Sequence, residues 1–334
     1  MTLATVWFCL IGILWAGYFL LEGFDFGVGI LLPWVGRDEE DRNRMLGTIG
    51  PVWDGNEVWL VVATGATFAA FPAWYGTMFS ALYLALLLIL VCLIVRVVSF
   101  EWRERSATPR ARLAWQWANT VGSVGAPFLW GVALANLLHG LPLDEKGVFT
   151  GTFLDLFSGY TVLAGLATVL LFALHGATFL TLRLHGDLGA RAAAAARRLS
   201  APAAIVVIAF LGWTVAVAVD SNERGVAGPL VPAVVGAVAV VLCAVLVRTG
   251  RVGWAFAATG VAAIAIVATL FTGLYPRVLV SDPTFANSLT VTGASTEHYA
   301  LTVITVVGAV LLPVVLLYQG WTYHVLRARL AGGG

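Results

Sequence analysis

The segment LATVWFCLIGILWAGYFLLEGFDFGVGILLPWV, which spans Leu3–Val35, decides the fold of this chain. It is apolar over more than the roughly 20 residues that a helix needs to cross a hydrocarbon core. Glu22 and Asp25 interrupt it, and a charged side chain that faced lipid would cost roughly 2.5–3.5 kcal/mol. We therefore predict an uncleaved first membrane helix whose two acids face protein, a partner or water.

The rest of the chain has the same character. Its 334 residues are 60% hydrophobic and 11% charged, with a mean hydropathy of +0.91. This composition predicts an all-α polytopic membrane protein, because backbone groups in hydrocarbon must be satisfied within each helix. A net charge of +1 gives no indication of nucleic-acid binding. The three cysteines have no CxxC or CxxCH spacing, so we expect neither a disulfide nor a metal site.

Proline and glycine divide the apolar sequence into nine predicted spans. They cover about 3–35, 50–72, 75–104, 112–140, 156–186, 198–220, 228–249, 252–278 and 297–328. We expect two four-helix units plus one extra helix in a single integral membrane domain, 1–334. Pseudo-repeat halves at about 1–140 and 156–330 fit this count, although no internal sequence match supports them. The longest loop, Tyr275–Thr296, could carry a short amphipathic segment.

Basic residues predict the orientation of the chain in the membrane. One set of alternating loops, together with the C-terminal tail, holds fifteen arginines, and the opposite loops hold three basic residues. The fifteen are Arg37, Arg42, Arg44, Arg103, Arg105, Arg110, Arg112, Arg183, Arg191, Arg197, Arg198, Arg248, Arg251, Arg327 and Arg329, and the three are Lys146, Arg224 and Arg277. The side with fifteen, termed here the arginine-rich end, is predicted to be cytoplasmic. The N-terminus is then outside and the C-terminus inside.

Acidic residues gather at the arginine-rich end of the first three spans. In the first two spans the acids are three residues apart, so each pair shares one helix face. The third span returns to the same side with one arginine and another acid. The group comprises Glu22, Asp25, Asp54, Glu57, Arg96 and Glu101, and Trp53 beside it belongs to the tryptophans expected at the membrane boundary.

This arrangement suits proton uptake. Hydrocarbon does not conduct protons, so a buried reaction that consumes them needs carboxylates or water molecules within hydrogen-bond reach of one another. Burial favours the protonated form of a carboxylate, and a neighbouring arginine favours the ionised form. The opposed effects could poise Asp54 or Glu57 for proton exchange.

Structural alternatives exist for these residues. Asp54 could N-cap the second membrane helix, with Glu57 completing a variant of the capping box. Arg96 lies close enough to the boundary to extend its side chain into water instead of acting as a counter-ion. Glu101 and Arg105 are four residues apart and could form an ordinary surface pair.

Buried histidine raises the question of haem. His175 is the only histidine well inside a predicted span, in LFALHGATFL. With no partner histidine opposite, we expect a hydrogen-bonded core residue instead of a haem ligand. Asn119, Ser123 and Asn136 are predicted to form hydrogen bonds between helices.

Several motifs, in order along the whole chain, resemble cytochrome bd-type quinol oxidase subunit II (the cytochrome d ubiquinol oxidase subunit II family). They are GFDFGVG from residue 23, PVWDGNEVWL from 51, FAAFPAWY from 68, VRVVSFEWR from 95, NLLHGLP from 136, GATFL from 176 and LLPVVLLYQGWTYHVLR from 311. The string WDGNEVW is the most specific of them.

The resemblance implies a homologous partner, subunit I, that carries haems b and d. The two subunits would oxidise quinol, reduce O2 to water and generate a proton-motive force in a bacterial cell membrane, taking protons from the cytoplasm. In this family subunit II can contribute a proton pathway. Asp54 matches the position implicated, and Glu101 matches an acidic position near its entrance. A structural quinone in this subunit and small single-helix subunits are further expected partners.

We therefore expect a non-haem subunit that stabilises subunit I and supplies protons, and that is not catalytic alone. Asp54 is the expected principal relay. The supporting residues are Glu101, Asp25 and Glu57, with Trp53, Arg96 and Glu22 around them. A secondary transporter or ion-coupled permease is one alternative, which would favour broken helices at the bilayer midplane. A purely structural scaffold is another, in which neutralising the acids would affect assembly only.

Overall fold

The computed structural model describes residues 2–222 and 225–331. Arg224 lies outside these ranges, and the side chains of Arg327 and Arg329 are also outside the description. The helices are α1 Leu3–Val35, α2 Glu39–Ile49, α3 Trp53–Ala70, α4 Pro72–Ala81, α5 Tyr83–Arg105, α6 Pro109–His139, α7 Gly159–Arg183, α8 Gly186–Asn222, α9 Ala227–Arg248, α10 Val252–Leu274 and α11 His298–Ala331. Strands β1 Arg277–Leu279 and β2 Leu289–Thr290 and two short 3-10 helices, Phe153–Leu156 and Phe285–Asn287, complete the described elements.

The prediction of an all-α polytopic membrane protein is confirmed. Within the described residues, eight helices are long and apolar enough to cross a membrane, namely α1 and α5 to α11. The remaining predicted span coincides with α3, which has 18 residues. Helix α3 has the polar residues Asp54, Asn56 and Glu57 near its start and is not among these eight.

The predicted boundaries differ from the structure in four places. Helix α2 occupies what was expected to be a loop, and α8 begins at Gly186, well before the predicted start at 198. The predicted span 75–104 is broken at Leu82, whose backbone leaves the helical region (φ −96°, ψ 15°), into α4 and α5. The loop after α10, for which only a short amphipathic segment was expected, carries an antiparallel β-hairpin, β1–β2.

Local sequence explains where several helices begin. The side chains of Asp38, Thr108 and Ser158 accept hydrogen bonds from backbone amides in the first turns of α2, α6 and α7. Pro109 follows Thr108 at the first helical position of α6, where a missing N–H costs nothing. These caps satisfy amides that the helices themselves leave unpaired.

Helix α1 is central, because α3, α6, α7 and α10 all pack against it. Close approach to α7 depends on Gly27 and Gly176. A Cβ atom added to Gly27 would lie 2.0 Å from the carbonyl oxygen of Phe172 on α7. Small residues at such contacts let helix backbones approach each other in membranes. This packing keeps the polar face of α1 inside the protein.

Helix α2 joins the ends of several spans at the arginine-rich end. Arg103, near the end of α5, donates to Glu39 at 2.5 Å. Arg191, near the start of α8, forms an ion pair with Asp41, and its Nε donates to the carbonyl oxygen of Val35 at 2.9 Å. These contacts bring the ends of α1, α5 and α8 together.

The opposite end of the bundle is closed by the hairpin segment. The backbone amide of Val280 donates to the carbonyl oxygen of Leu137, at the end of α6, at 2.9 Å. The amide of Thr296 donates to the carbonyl oxygen of Ala70, at the end of α3, at 2.9 Å. Val278 and Leu279 are completely buried, so the hairpin is part of the core.

Candidate functional site

A buried ion-pair cluster joins three of the helices. Arg96 of α5 forms an ion pair with Glu22 of α1, and its Nη1 also donates to Glu57 Oε1 of α3 at 3.3 Å. The side chains of Arg96 and Glu22 are completely buried, and that of Glu57 is 24% exposed. The three spans that the sequence predicted to bring charged groups together therefore do so.

Asp25 extends this cluster by one turn of α1. It is completely buried, and Asn56 Nδ2 donates to its Oδ2 at 2.7 Å. Asn56 also donates to the carbonyl oxygen of Leu21 at 3.3 Å. Asn56 is a functional candidate that the sequence patterns did not predict. Its position beside Glu57, in a helix start already marked by acids, is the signal that could have found it.

Two aromatic rings hold the Arg96 guanidinium in place. Its Cζ atom lies 4.6 Å from the ring centre of Phe26 and 5.6 Å from that of Phe100, within the range of cation–π attraction. The half-buried Trp53 contacts Phe100 edge to face, with ring centres 5.7 Å apart. Arg96 is therefore a buried counter-ion, and the alternative in which it reaches water is wrong.

The cluster contains more acid than base. It has three carboxylates, those of Glu22, Asp25 and Glu57, and one guanidinium, that of Arg96, which pairs with Glu22 and Glu57. Among the described residues, Glu22 Oε2, Asp25 Oδ1 and Arg96 Nε and Nη2 have no hydrogen-bond partner. A buried excess of negative charge is costly unless it is neutralised, so this cluster is suited to binding protons. Its free polar atoms are suited to binding water. We term these four residues the acid cluster.

Asp54 and Glu101 lie outside the acid cluster. Asp54 is exposed in the first turn of α3, where the helix dipole stabilises its negative charge. The N-cap of α3 is Val52, and no side chain caps this helix, so the capping alternative for Asp54 is wrong. Glu101 pairs with Arg105 at 3.0 Å, and both side chains are 71% exposed. The surface pair that the four-residue spacing allowed is therefore present.

His175 is a hydrogen-bonded core residue, as expected. Its Nδ1 lies 2.6 Å from Thr259 Oγ1, and its Nε2 lies 3.1 Å from the carbonyl oxygen of Leu20. The ring stacks on Phe256 with centres 4.5 Å apart. Since both ring nitrogens are engaged, His175 does not fit the role of a haem ligand.

The predicted interhelical hydrogen bonds are present at two positions out of three. Asn119 Nδ2 donates to Ser99 Oγ of α5 at 3.0 Å. Asn136 donates to the carbonyl oxygen of Leu156, in the 3-10 helix before α7, at 2.9 Å, and also to Val132 of its own helix at 2.8 Å. Ser123 Oγ is buried and has no hydrogen-bond partner among the described residues. The prediction is therefore confirmed for Asn119 and Asn136 and wrong for Ser123.

An apolar cavity of about 380 Å³, open to the protein surface, lies between α3, α4, α5 and α6. Leu60, Phe79, Leu86, Leu90 and Trp130 are among the residues that line it. Such a lining suits a lipid tail or another long apolar group, since few polar atoms face the space.

Comparison with known proteins gives full-length matches. The model of the family described as cytochrome bd terminal oxidase subunit II matches residues 3–326. Cytochrome bd ubiquinol oxidase subunit 2 of Bacillus subtilis is 38% identical over 331 residues, which cover 99% of this chain and 97% of that protein. Cytochrome bd-I ubiquinol oxidase subunit 2 of Escherichia coli K12 is 33% identical over 359 residues, which cover 97% of this chain and 94% of that protein.

A solved structure shares the fold. The structure of bd oxidase from Geobacillus thermodenitrificans contains a chain that superposes with a TM-score of 0.67 at 19% sequence identity. The match covers all of both chains. At this identity the likeness describes the arrangement of helices only.

Proposed function

Because this chain belongs to the cytochrome bd terminal oxidase subunit II family, we propose that it stabilises a haem-bearing partner subunit and conducts protons to it. The chain is a subunit of a bd-type quinol oxidase, an oxidoreductase that couples quinol oxidation to the reduction of O2. The complex contains haem and a subunit I, and it lies in a bacterial membrane. Membership in this family rules out the alternative of a secondary transporter or ion-coupled permease.

The observation that carries the proton-conducting role is the acid cluster. Glu22 and Glu57 share the guanidinium of Arg96, and Asp25 is buried beside them without a cation of its own among the described residues, so a proton that reaches these acids relieves uncompensated negative charge. Glu57 is suited to join the cluster to water, because its side chain is 24% exposed and its carboxylate lies 3.3 Å from Arg96. The proposed route begins at Asp54, continues through Glu57 and ends at Glu22 and Asp25.

Asp54 is proposed as the principal relay because it is exposed one turn before Glu57 on the same face of α3. Glu101 is proposed to attract protons to this entrance from the surface of α5. Trp53, which contacts Phe100 beside Arg96, is proposed to keep the exposed acids and the buried acids at a fixed separation.

Orientation and the remaining partners are part of the same proposal. We place the arginine-rich end in the cytoplasm, with the N-terminus outside and the C-terminus inside. Haems b and d are assigned to subunit I, since His175 does not fit a haem here. A structural quinone is proposed for the apolar cavity of α3, α4, α5 and α6, and lipid and small single-helix subunits for the exposed apolar faces of α9 and α11.

The test is Asp54→Asn in the purified two-subunit complex. We expect O2 consumption to fall about 100-fold, the typical contribution of a positioned proton-transfer group. Assembly and haem content should stay at wild-type values, because Asp54 is exposed and does not cap α3. Glu40→Gln, which neutralises an exposed acid of α2, is the matched control. Wild-type O2 consumption by Asp54→Asn would refute the relay.

A further inference from the structure

A second buried polar region lies between α5 and α6 and shares Arg96 with the acid cluster. On α5, buried polar side chains lie three and seven residues after Arg96. On α6, they lie three and seven residues after Gln116. All six residues are at most 2% exposed. They are Arg96, Ser99 and Arg103 on α5, and Gln116, Asn119 and Ser123 on α6. We term these six residues the α5–α6 seam.

The two rows of side chains lie on adjoining faces of α5 and α6, and Asn119 Oδ1 and Ser123 Oγ also border Gly29 of α1. Asn119 Nδ2 donates to Ser99 Oγ at 3.0 Å, near the middle of the seam. Farther into the membrane, the helices are close, since a Cβ atom added to Gly122 would lie 3.3 Å from the Cβ atom of Arg96. Seven helical residues extend for about 10 Å, so the seam has roughly this length.

The seam is rich in polar atoms that lack a partner. Among the described residues, no hydrogen-bond partner exists for Arg96 Nε and Nη2, Arg103 Nε, Gln116 Oε1, Asn119 Oδ1 and Ser123 Oγ. The free donors are on α5 and the free acceptors are on α6. A ligand that both donates and accepts hydrogen bonds, and is small enough to fit between two packed helices, would satisfy them. Water has these properties.

Each end of the seam meets a carboxylate. At the arginine-rich end, Arg103 Nη1 donates to Glu39 Oε2 of α2 at 2.5 Å, and the Glu39 side chain is 43% exposed. At the other end, Arg96 forms its ion pair with the buried Glu22. Both arginines are thus paired with acids, so the seam carries little net charge that would repel a proton. It connects a solvent-exposed carboxylate to the acid cluster.

We propose that the α5–α6 seam binds a file of water molecules and forms a second proton route, from Glu39 to Glu22, beside the route that starts at Asp54. The proposal rests on the proposed role of the acid cluster in proton uptake. A proton taken up by the Glu39 carboxylate passes to the first water, and each water releases one proton to the next as it receives one. The proton ends on the Glu22 carboxylate, while both arginines remain charged.

Asn119→Leu in the purified two-subunit complex tests the seam, because leucine fills a similar volume and cannot bind water. Alone, it should change O2 consumption little, because the 100-fold loss expected from Asp54→Asn leaves only about 1% of the turnover to the seam. Combined with Asp54→Asn, it should remove most of the turnover that Asp54→Asn leaves. Ser123→Ala should act in the same direction. In the Asp54→Asn background, the solvent isotope effect on turnover should rise when Asn119→Leu is added, which a purely structural change would not produce.

Thr168→Val is the matched control. Thr168 is buried on α7, and its hydroxyl bonds to the carbonyl oxygen of Ala164 in its own helix at 2.9 Å. This variant should leave turnover and the isotope effect unchanged in both backgrounds. If Asn119→Leu impairs assembly, Ser123→Ala supplies the same comparison.

Two outcomes separate this proposal from the one on which it rests. If Asn119→Leu and Ser123→Ala leave turnover and isotope effect unchanged in both backgrounds, the seam is not a proton route, whatever Asp54→Asn does. If Asp54→Asn retains full turnover while Asn119→Leu lowers it and raises the isotope effect, the relay at Asp54 fails and the seam stands as the route.

Discussion

Two buried polar sites border α1, and they differ in how completely their atoms are paired. Around His175, both ring nitrogens have partners and the ring is stacked on Phe256. In the acid cluster, three carboxylates accompany one guanidinium, and polar atoms of Glu22, Asp25 and Arg96 lack partners among the described residues. Burial alone therefore does not indicate function.

The difference has a physical basis. A neutral, fully hydrogen-bonded side chain is stable in a dry interior and gains nothing from exchanging a proton. A cluster with excess negative charge is stabilised when a proton or water enters it. We thus interpret His175 as a packing residue that joins α7 to α1 and α10, and the acid cluster as a place where protons reside.

The largest effect that separates the two sites is expected for Arg96→Leu. Removing the guanidinium leaves Glu22 buried without its counter-ion, which should destabilise the protein by about 3–5 kcal/mol. Little assembled complex should form, as measured by native gel electrophoresis and haem content. Arg96→Lys keeps the charge and should recover part of the yield. Wild-type yield from Arg96→Leu would mean that the ion pair with Glu22 is not required.

Glu22→Gln should affect turnover more than assembly. Glutamine is isosteric with glutamate and can still accept a hydrogen bond from Arg96, but it cannot hold the transferred proton. We expect O2 consumption per haem to fall about 100-fold, with normal complex yield. Loss of assembly at unchanged turnover per haem would instead place Glu22 in the same class as His175, and would favour the scaffold alternative.

The sequence predicted the buried acids more reliably than their exposed neighbours. The three-residue spacing of Glu22 and Asp25 correctly predicted one interior face of α1. The same spacing in α3 could not show that Asp54 would be exposed and Glu57 partly buried, because that depends on how α3 begins. Val52 is the N-cap residue of α3 and provides no side-chain cap. The helix therefore begins at Trp53, and Asp54 lies in its first turn.

Elements held by distant contacts were also missed. Helix α2 has a charged sequence that reads as a loop, and its ion pairs come from Arg103 and Arg191, far along the chain. The β1–β2 hairpin is too short to be recognised from pattern alone. It is fixed by backbone bonds such as that from Val280 to Leu137. Tertiary partners, which spacing does not reveal, decide both elements.

His175→Gln should lower stability slightly and leave turnover unchanged. A glutamine can replace one of the two hydrogen bonds but not the stacking on Phe256, so we expect a loss of about 1 kcal/mol in the free energy of unfolding. A thermal melt of the complex and O2 consumption per haem would measure both quantities. A change in the haem spectrum or a large loss of turnover would show that this site does more than pack.

Glu101→Gln is expected to have the smallest effect, and it tests whether an exposed acid helps the buried ones. The pair with Arg105 contributes little to stability, because both partners are solvated. Turnover should be about twofold below wild type at low salt and equal to wild type at about 0.5 M salt, since screening shortens the reach of the wild-type surface charge to a few ångströms. A loss that does not depend on salt would instead make Glu101 a direct member of the route. The exposed and buried acids would then form one continuous chain, and the acid cluster would extend to the protein surface.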